Sequence, residues 1–97
     1  MPKTKYFKYD GYNIPVDLVI LTGGGTDDWK TITDYHAEMY RRYTPINPND
    51  YILEVGCGVG RDAIELTKIL SNEGSYVGFD IIKPSIEWCQ ENITKKH

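Results

Sequence analysis

The stretch Tyr51-Ile-Leu-Glu-Val-Gly-Cys-Gly-Val-Gly-Arg-Asp62 constrains the fold more than any other part of the chain. Tyr51 to Val55 is an apolar run of the kind that forms a strand buried on both faces. Gly56, Gly58 and Gly60 then fall at alternate positions. Behind Arg61 and Asp62 a helical periodicity begins, with Ala63, Leu66, Thr67 and Leu70 on one face and Ile64 and Ile69 flanking it. Strand, glycine turn and helix in this order open a nucleotide-binding βαβ unit, so the expected fold class is α/β. The glycines let the backbone turn sharply, keep side chains out of a ligand's space and bring helix N–H groups close to it.

A second strand is expected over Ser75-Tyr-Val-Gly-Phe-Asp80, ending in a carboxylate twenty residues beyond Gly60. A carboxylate at that strand tip can accept hydrogen bonds from both hydroxyls of a ribose. The glycine turn and this Asp together point to an adenosine-containing ligand. Dinucleotide sites use Gly-x-Gly-x-x-Gly, with the pyrophosphate against the helix N-terminus. Here the spacing is Gly-x-Gly-x-Gly, and Arg61 stands where the last dinucleotide glycine would be. Glu54, two residues before the first glycine, would repel a pyrophosphate and suits a ligand carrying a positive amino group.

On these residues the chain resembles a known family. Ile52-Leu-Glu-Val-Gly-Cys-Gly-Val-Gly-Arg61 is similar to motif I of the class I S-adenosylmethionine-dependent methyltransferases, and Tyr76-Val-Gly-Phe-Asp-Ile81 is similar to the acidic strand after that motif. The resemblance covers roughly Tyr51 to Ile93. It implies S-adenosylmethionine as cofactor, with Glu54 near its methionine end. Gly56, Cys57, Gly58 and Gly60 would pass beside its methionine and ribose parts, Asp80 would hold the ribose hydroxyls, and Ile81 would pack on the adenine. Arg61 would either reach the cofactor carboxylate or form a surface ion pair. Cys57 needs only to be small within the turn.

Bulk properties narrow the remaining classes. Ninety-seven residues, 40% of them hydrophobic, make one domain at most. The net charge is −3 and the eleven Lys and Arg are scattered, so no nucleic-acid footprint is visible. The longest apolar run is far short of a membrane span, and Met-Pro-Lys-Thr-Lys leads into no apolar segment that would make a signal peptide. Cys57 and Cys89 form no metal-spacing pair, and no metal site is expected. With no export signal they are expected to be reduced thiols of a cytoplasmic protein.

Upstream of the glycine turn, Lys3, Lys5 and Lys8 alternate with Tyr6, Phe7 and Tyr9, and residues 1–13 are read as a solvated terminal arm. A short helix is expected over Asn13–Thr22, capped by Asn13, with Pro15 near its start and Gly23-Gly24-Gly25 beyond its end. No Gly-Lys-Ser/Thr comes after the triple glycine, so it is a hinge and not a phosphate loop. Thr26 is the expected N-cap of a second helix running to about Tyr43, with Asp27 and Asp28 in its first turn. Trp29, Ile32, His36, Met39, Tyr40 and Tyr43 share a face of it. His36 is the one weak candidate for a catalytic base, although a lone His on such a face is more often packed and hydrogen-bonded. By the resemblance, Tyr35 and Tyr40 are candidates to close over the cofactor. After Asp80, Pro84 opens a last helix whose apolar stripe is Ile86, Cys89 and Ile93. Trp88 lies about 130° from that stripe, so its expected partner is the N-terminal segment or a further part of the fold.

These readings divide the chain into 1–50, an N-terminal arm and helical cap region, and 51–97, a partial S-adenosylmethionine-binding βαβα unit. A full methyltransferase domain of this class needs on the order of 200 residues. The expectation is therefore a Rossmann-like class I methyltransferase fold, truncated after the second strand and its helix and preceded by an N-terminal helical segment. The first strand would then expose an apolar edge, for a second copy or a partner chain to cover. The function expected is S-adenosylmethionine-dependent methyl transfer to an unknown acceptor. An NAD(P)-binding oxidoreductase fragment and a non-catalytic methyltransferase-like interaction module stay open as alternatives.

Overall fold

The computed structural model describes residues 3–97. The first two positions of the N-terminal arm lie outside the described residues. The rest of that segment folds into a hairpin rather than a solvated arm. Strand β1 (Tyr6–Tyr9) pairs antiparallel with β2 (Tyr12–Pro15), placing Tyr9 opposite Tyr12 and Phe7 opposite Ile14. The turn between them is Asp10-Gly11, both at positive φ (52° and 84°). That is the backbone demanded by a two-residue hairpin whose twist matches its strands. Tyr12 and Ile14 are buried and Phe7 and Tyr9 pack beside them, so one face of the hairpin joins the core while Tyr6 and Lys8 face water.

Helix α1 is short, Val16–Ile20, and Pro15 precedes it. Asn13 is thus a strand residue and not its cap. The hairpin's pairing claims Asn13 and Ile14 first, and the chain turns helical only behind the proline. Helix α2 (Thr26–Tyr43) begins one residue beyond its cap, which is Gly25 and not Thr26. The Asp28 carboxylate accepts from the Gly25 N–H at 3.2 Å, and Asp27 and Asp28 complement the positive helix end. Trp29 and Thr33 are the buried residues of α2, whereas Met39 and Tyr43 are exposed. The expected apolar face is thus covered at Trp29, partly covered at Ile32, His36 and Tyr40, and open at Met39 and Tyr43.

Strand β3 (Tyr51–Val55), helix α3 (Arg61–Leu66) and strand β4 (Ser75–Phe79) form the βαβ unit, with β3 and β4 parallel and in register from Tyr51–Ser75 to Val55–Phe79. Helix α3 ends at Leu66, earlier than the periodicity to Leu70 suggests, and the chain continues in turns. Helix α4 (Lys83–Asn92) carries Pro84 in its first turn, and a 3₁₀ turn (Thr94–Lys96) comes after it.

The core is built from both halves of the chain: Tyr12, Ile14, Val19 and Trp29 meet Val59, Ala63, Ile64 and Ile93. Trp29 is its centre, with the Phe7 and Tyr9 rings tilted against it at 5.5 and 5.7 Å. Two links pin the hairpin to the α3 region: the Tyr9 hydroxyl donates to Glu65, and Lys68 reaches Asp10 at 2.6 Å. Trp88 packs on Tyr12 at 6.1 Å and its indole N–H donates to the Asn13 carbonyl at 3.3 Å, so its partner is the N-terminal hairpin, as expected.

The expectation that β3 is buried on both faces is not met. Tyr51, Leu53 and Val55 are 83%, 66% and 73% exposed, and Val77 and Phe79 beside them are also exposed. Ile52, Glu54, Tyr76 and Gly78 alternate to the other face and are partly covered. The two-stranded sheet is packed on one side only, which leaves an apolar face bare.

Candidate functional site

The C-terminal tips of β3 and β4 lie side by side, and the backbone between Gly56 and Gly60 is sewn across them. The Gly56 and Cys57 N–H groups both donate to the Phe79 carbonyl, at 2.8 and 3.1 Å. The Gly58 N–H donates to Asp80 Oδ2 at 2.8 Å. Gly56, Gly58 and Gly60 have φ of 75°, 56° and 88°, a region that is strained for residues bearing a side chain. Their reasons differ. A Cβ at Gly60 would sit 2.5 Å from Ile93 Cδ1 and 3.2 Å from Cys89 Sγ, so helix α4 packs straight onto the turn. A Cβ at Gly58 would meet the Thr22 methyl at 3.3 Å, whereas one at Gly56 would meet nothing within 4 Å. Gly56 thus borders open space at the strand tips.

Asp80 closes that space on the β4 side. Its Oδ1 accepts from the Ile82 N–H at 2.9 Å, so each carboxylate oxygen holds one backbone donor and keeps a second acceptor position. Ile81, next to it, is 97% exposed. A large apolar side chain standing free beside the turn is available as a ligand contact.

Glu54 closes the β3 side. The Tyr76 hydroxyl donates to its Oε1 at 2.5 Å. Burial pushes the Glu54 carboxyl up to about 6, the Tyr76 hydrogen bond opposes this, and the nearby Asp62 carboxylate adds to it. Burial and Glu54 in turn push the Tyr76 phenol up.

Asp62 is a site residue whose place the sequence does not reveal. It is buried in the first turn of α3. His36 Nδ1 donates to its carboxylate at 2.8 and 2.9 Å, and the Tyr40 hydroxyl donates to Oδ2 at 3.1 Å. His36 is therefore the packed, hydrogen-bonded histidine expected of such a position, and Tyr40 points at Asp62. Tyr35 is exposed.

Arg61 turns the other way. Its Nη1 donates to Thr22 Oγ1 at 3.3 Å and its guanidinium lies 5.8 Å from the Trp29 ring centre, and it forms no ion pair among the described residues. Cys57 is buried in the turn with its thiol pushed up by burial, and burial likewise pushes Cys89 up to about 12. Both thiols point at the Gly58 carbonyl, at 3.7 and 3.5 Å. As protonated, shielded thiols they act as packing groups.

A cavity of about 720 Å³ lies between α3, β4 and α4, lined by Ala63, Leu66, Tyr76, Ile86, Cys89 and Ile93 among others. At the strand tips, Gly56 borders open space and Ile81 is exposed. Glu54, Gly56, Cys57, Gly58, Asp80 and Ile81 lie at or beside the strand tips, whereas Gly60 packs against α4, Arg61 turns toward Trp29 and His36 toward Asp62.

A family model described as a methyltransferase domain matches residues 46–97, more than half of the chain. The chain belongs to this methyltransferase family. The matched region begins just ahead of β3 and takes in the glycine turn, Asp80 and α4. The recognised family is that of the class I S-adenosylmethionine-dependent methyltransferases. No solved structure gives a significant match. The mixed α/β architecture is compatible with the family, and no helix among the described residues is long and apolar enough to cross a membrane.

Proposed function

We propose that this methyltransferase chain binds S-adenosylmethionine at the tips of β3 and β4 and presents its methyl group to an acceptor. The observation that carries the reading is the Gly56–Gly60 turn, held at positive φ against Asp80, with Glu54 on the neighbouring strand tip. The residues present fit such a ligand. Open space beside Gly56 admits its backbone-hugging part. The spare acceptor positions of Asp80 suit a ribose diol, Ile81 offers an apolar face for adenine, and Glu54 offers a carboxylate for an ammonium group. Residues 51–97 form the cofactor-binding unit in this reading and residues 1–50 the cap region. The pair β3–β4 corresponds to two adjacent strands of a Rossmann-like sheet, whose bare face another layer would cover.

A bound S-adenosylmethionine supplies a methyl group already activated by a sulfonium centre. The chain's own residues bind, orient and exclude water, and this positioning contributes most of the rate in reactions of such a type. Asp80 and Glu54 fix the two ends of the ligand. Thr22, over Gly58, and Arg61 behind it keep the turn in place from the N-terminal side.

Amide chemical shifts test the reading. Adding S-adenosylmethionine to the chain should move the resonances of Gly56, Gly58 and Asp80–Ile82 and leave the Tyr6–Pro15 hairpin unchanged, with no comparable effect from NAD. Shifts confined to the hairpin, or produced equally by NAD, would contradict it.

A further inference from the structure

One face of the β3–β4 sheet has no covering layer among the described residues. Tyr51, Leu53 and Val55 of β3 and Val77 and Phe79 of β4 share that face, and all five are exposed. Parallel strands are otherwise found with helices over both faces. Helix α2 carries a second bare apolar surface. Tyr35, Met39 and Tyr43 recur at every fourth residue, so they form one stripe along its C-terminal half, and all three are exposed. This helix cannot cover the sheet of its own chain. His36 and Tyr40 hold it on Asp62 of α3, and α3 lies over the opposite sheet face, where Leu66 and Tyr76 line one cavity.

The two surfaces match in charge as well as in apolarity. From Tyr43 to Gly60 and from Ile69 to Ile82 the sequence has no Lys or Arg, and its charged residues are Asp50, Glu54, Glu73 and Asp80. Glu54 belongs to the covered face. The other three border the bare one: Asp50 directly precedes β3, Asp80 directly follows β4, and Glu73 lines a depression with Tyr51, Leu53 and Val77. The rim of the bare face is therefore acidic. On α2 the last turn carries Arg41 and Arg42, which share the single carboxylate of Glu38 at 2.5 and 3.8 Å. The C-terminal half of the helix thus has an excess of positive charge, and the Arg42 guanidinium lies beside the stripe, 5.9 Å from the Tyr43 ring centre.

We propose that the bare sheet face receives helix α2 of a second copy of this chain, with Tyr35, Met39 and Tyr43 over the apolar strand residues and the arginines at the acidic rim. A helix is the layer that this parallel pair lacks. Two sheets stacked face to face would also bury the patch, but in either strand direction they bring the acidic rims of two copies together, and like charges repel. The areas agree with a helix-on-sheet contact. The sheet patch exposes on the order of 500 Å², toward the upper end of what a monomer leaves bare. With the α2 stripe, each chain offers on the order of 800 Å², the share one partner gives to a standard interface. The contact joins two different patches, so each chain can give one and receive one. It stands independently of the cofactor reading.

The experiment is analytical ultracentrifugation of the 97-residue chain from micromolar to submillimolar concentration, at low and high salt. It is repeated on Met39→Lys, in the stripe, on Leu53→Lys, in the sheet face, and on an equimolar mixture of the two. Circular dichroism checks that each is folded, and Val77→Lys replaces Leu53→Lys if the latter is not. Reversible self-association that weakens with salt is expected of the parent chain, and each variant should associate at least about tenfold more weakly. The mixture should form a one-to-one species that neither variant forms alone, because the intact sheet of the Met39 variant meets the intact helix of the Leu53 variant. Misfolding could not produce that rescue. A parent chain that stays monomeric throughout overturns the proposal. So does a Met39→Lys chain that associates like the parent, which would mean sheet-on-sheet stacking, or a mixture of folded variants that associates no better than its components.

Discussion

The Gly58 N–H donates to Asp80 Oδ2 across 2.8 Å, tying the turn after β3 to the tip of β4. One hydrogen bond thus joins the two sequence signals that lie farthest apart in the motif, and it orients the carboxylate before any ligand arrives. Asp80→Ala should lower S-adenosylmethionine affinity about ten- to a hundredfold, since it removes hydrogen bonds to a charged group worth about 1.5–3 kcal/mol each. Amide exchange should also speed up at Gly58. An Asp80→Ala chain that binds as tightly as the parent would show that the ribose lies elsewhere.

The glycines of the turn should separate by cost. Gly60→Ala combines left-handed strain with a clash against Ile93 and Cys89, and should destabilise by about 2–4 kcal/mol. Gly56→Ala meets no atom within 4 Å and should cost only the strain, about 1–2 kcal/mol, while hindering the ligand. Urea midpoints report the first effect and titration with S-adenosylmethionine the second. Equal stability losses at both positions would count against the packing of α4 on the turn.

Trp29 is fully buried, yet its indole N–H has no hydrogen-bond partner among the described residues. Trp29→Phe should therefore cost less than about 1.5 kcal/mol, as a swap of apolar volume. Trp29→Ala opens a cavity under Phe7, Tyr9 and Arg61 and should cost about 3–5 kcal/mol. Thermal unfolding distinguishes the two. A large loss in the Phe variant would reveal a partner for the N–H.

Glu54 has a pH signature in stability. Its folded-state value, about 6, lies above the ordinary 4.5, so between those values the native state binds more protons than the unfolded chain. Its contribution therefore falls as pH rises from about 4.5 to 6 and is flat above. The size is on the order of 1 kcal/mol once solvent screening is allowed for. The difference in urea stability between the parent chain and Glu54→Gln, tracked across that window, isolates the effect. Parallel curves would show that Glu54 is not perturbed.

The βαβ unit was legible because its signals are local: three glycines, an apolar run and a strand-ending Asp each constrain their own few residues. The hairpin was equally local, since Asp10-Gly11 between alternating aromatics is a two-residue turn signal. Terminal position alone favours a solvated arm, and the turn signal overrides it. Asp62 was a different case. It lies 26 residues from His36, and nothing in the spacing shows that the first turn of α3 faces α2. Leu53 and Val55 are exposed despite their apolar run, because such a run records what a strand is suited to pack against. It does not record how many layers are there.

The central claim is that the β3–β4 tips hold S-adenosylmethionine, and calorimetric titration at pH 7 tests it most directly, with NAD and Asp80→Ala as controls. The account predicts saturable binding of S-adenosylmethionine at one site per chain, weakened in the Asp80 variant and absent for NAD. A chain shown to be folded by circular dichroism that binds NAD instead, or binds neither, would contradict it.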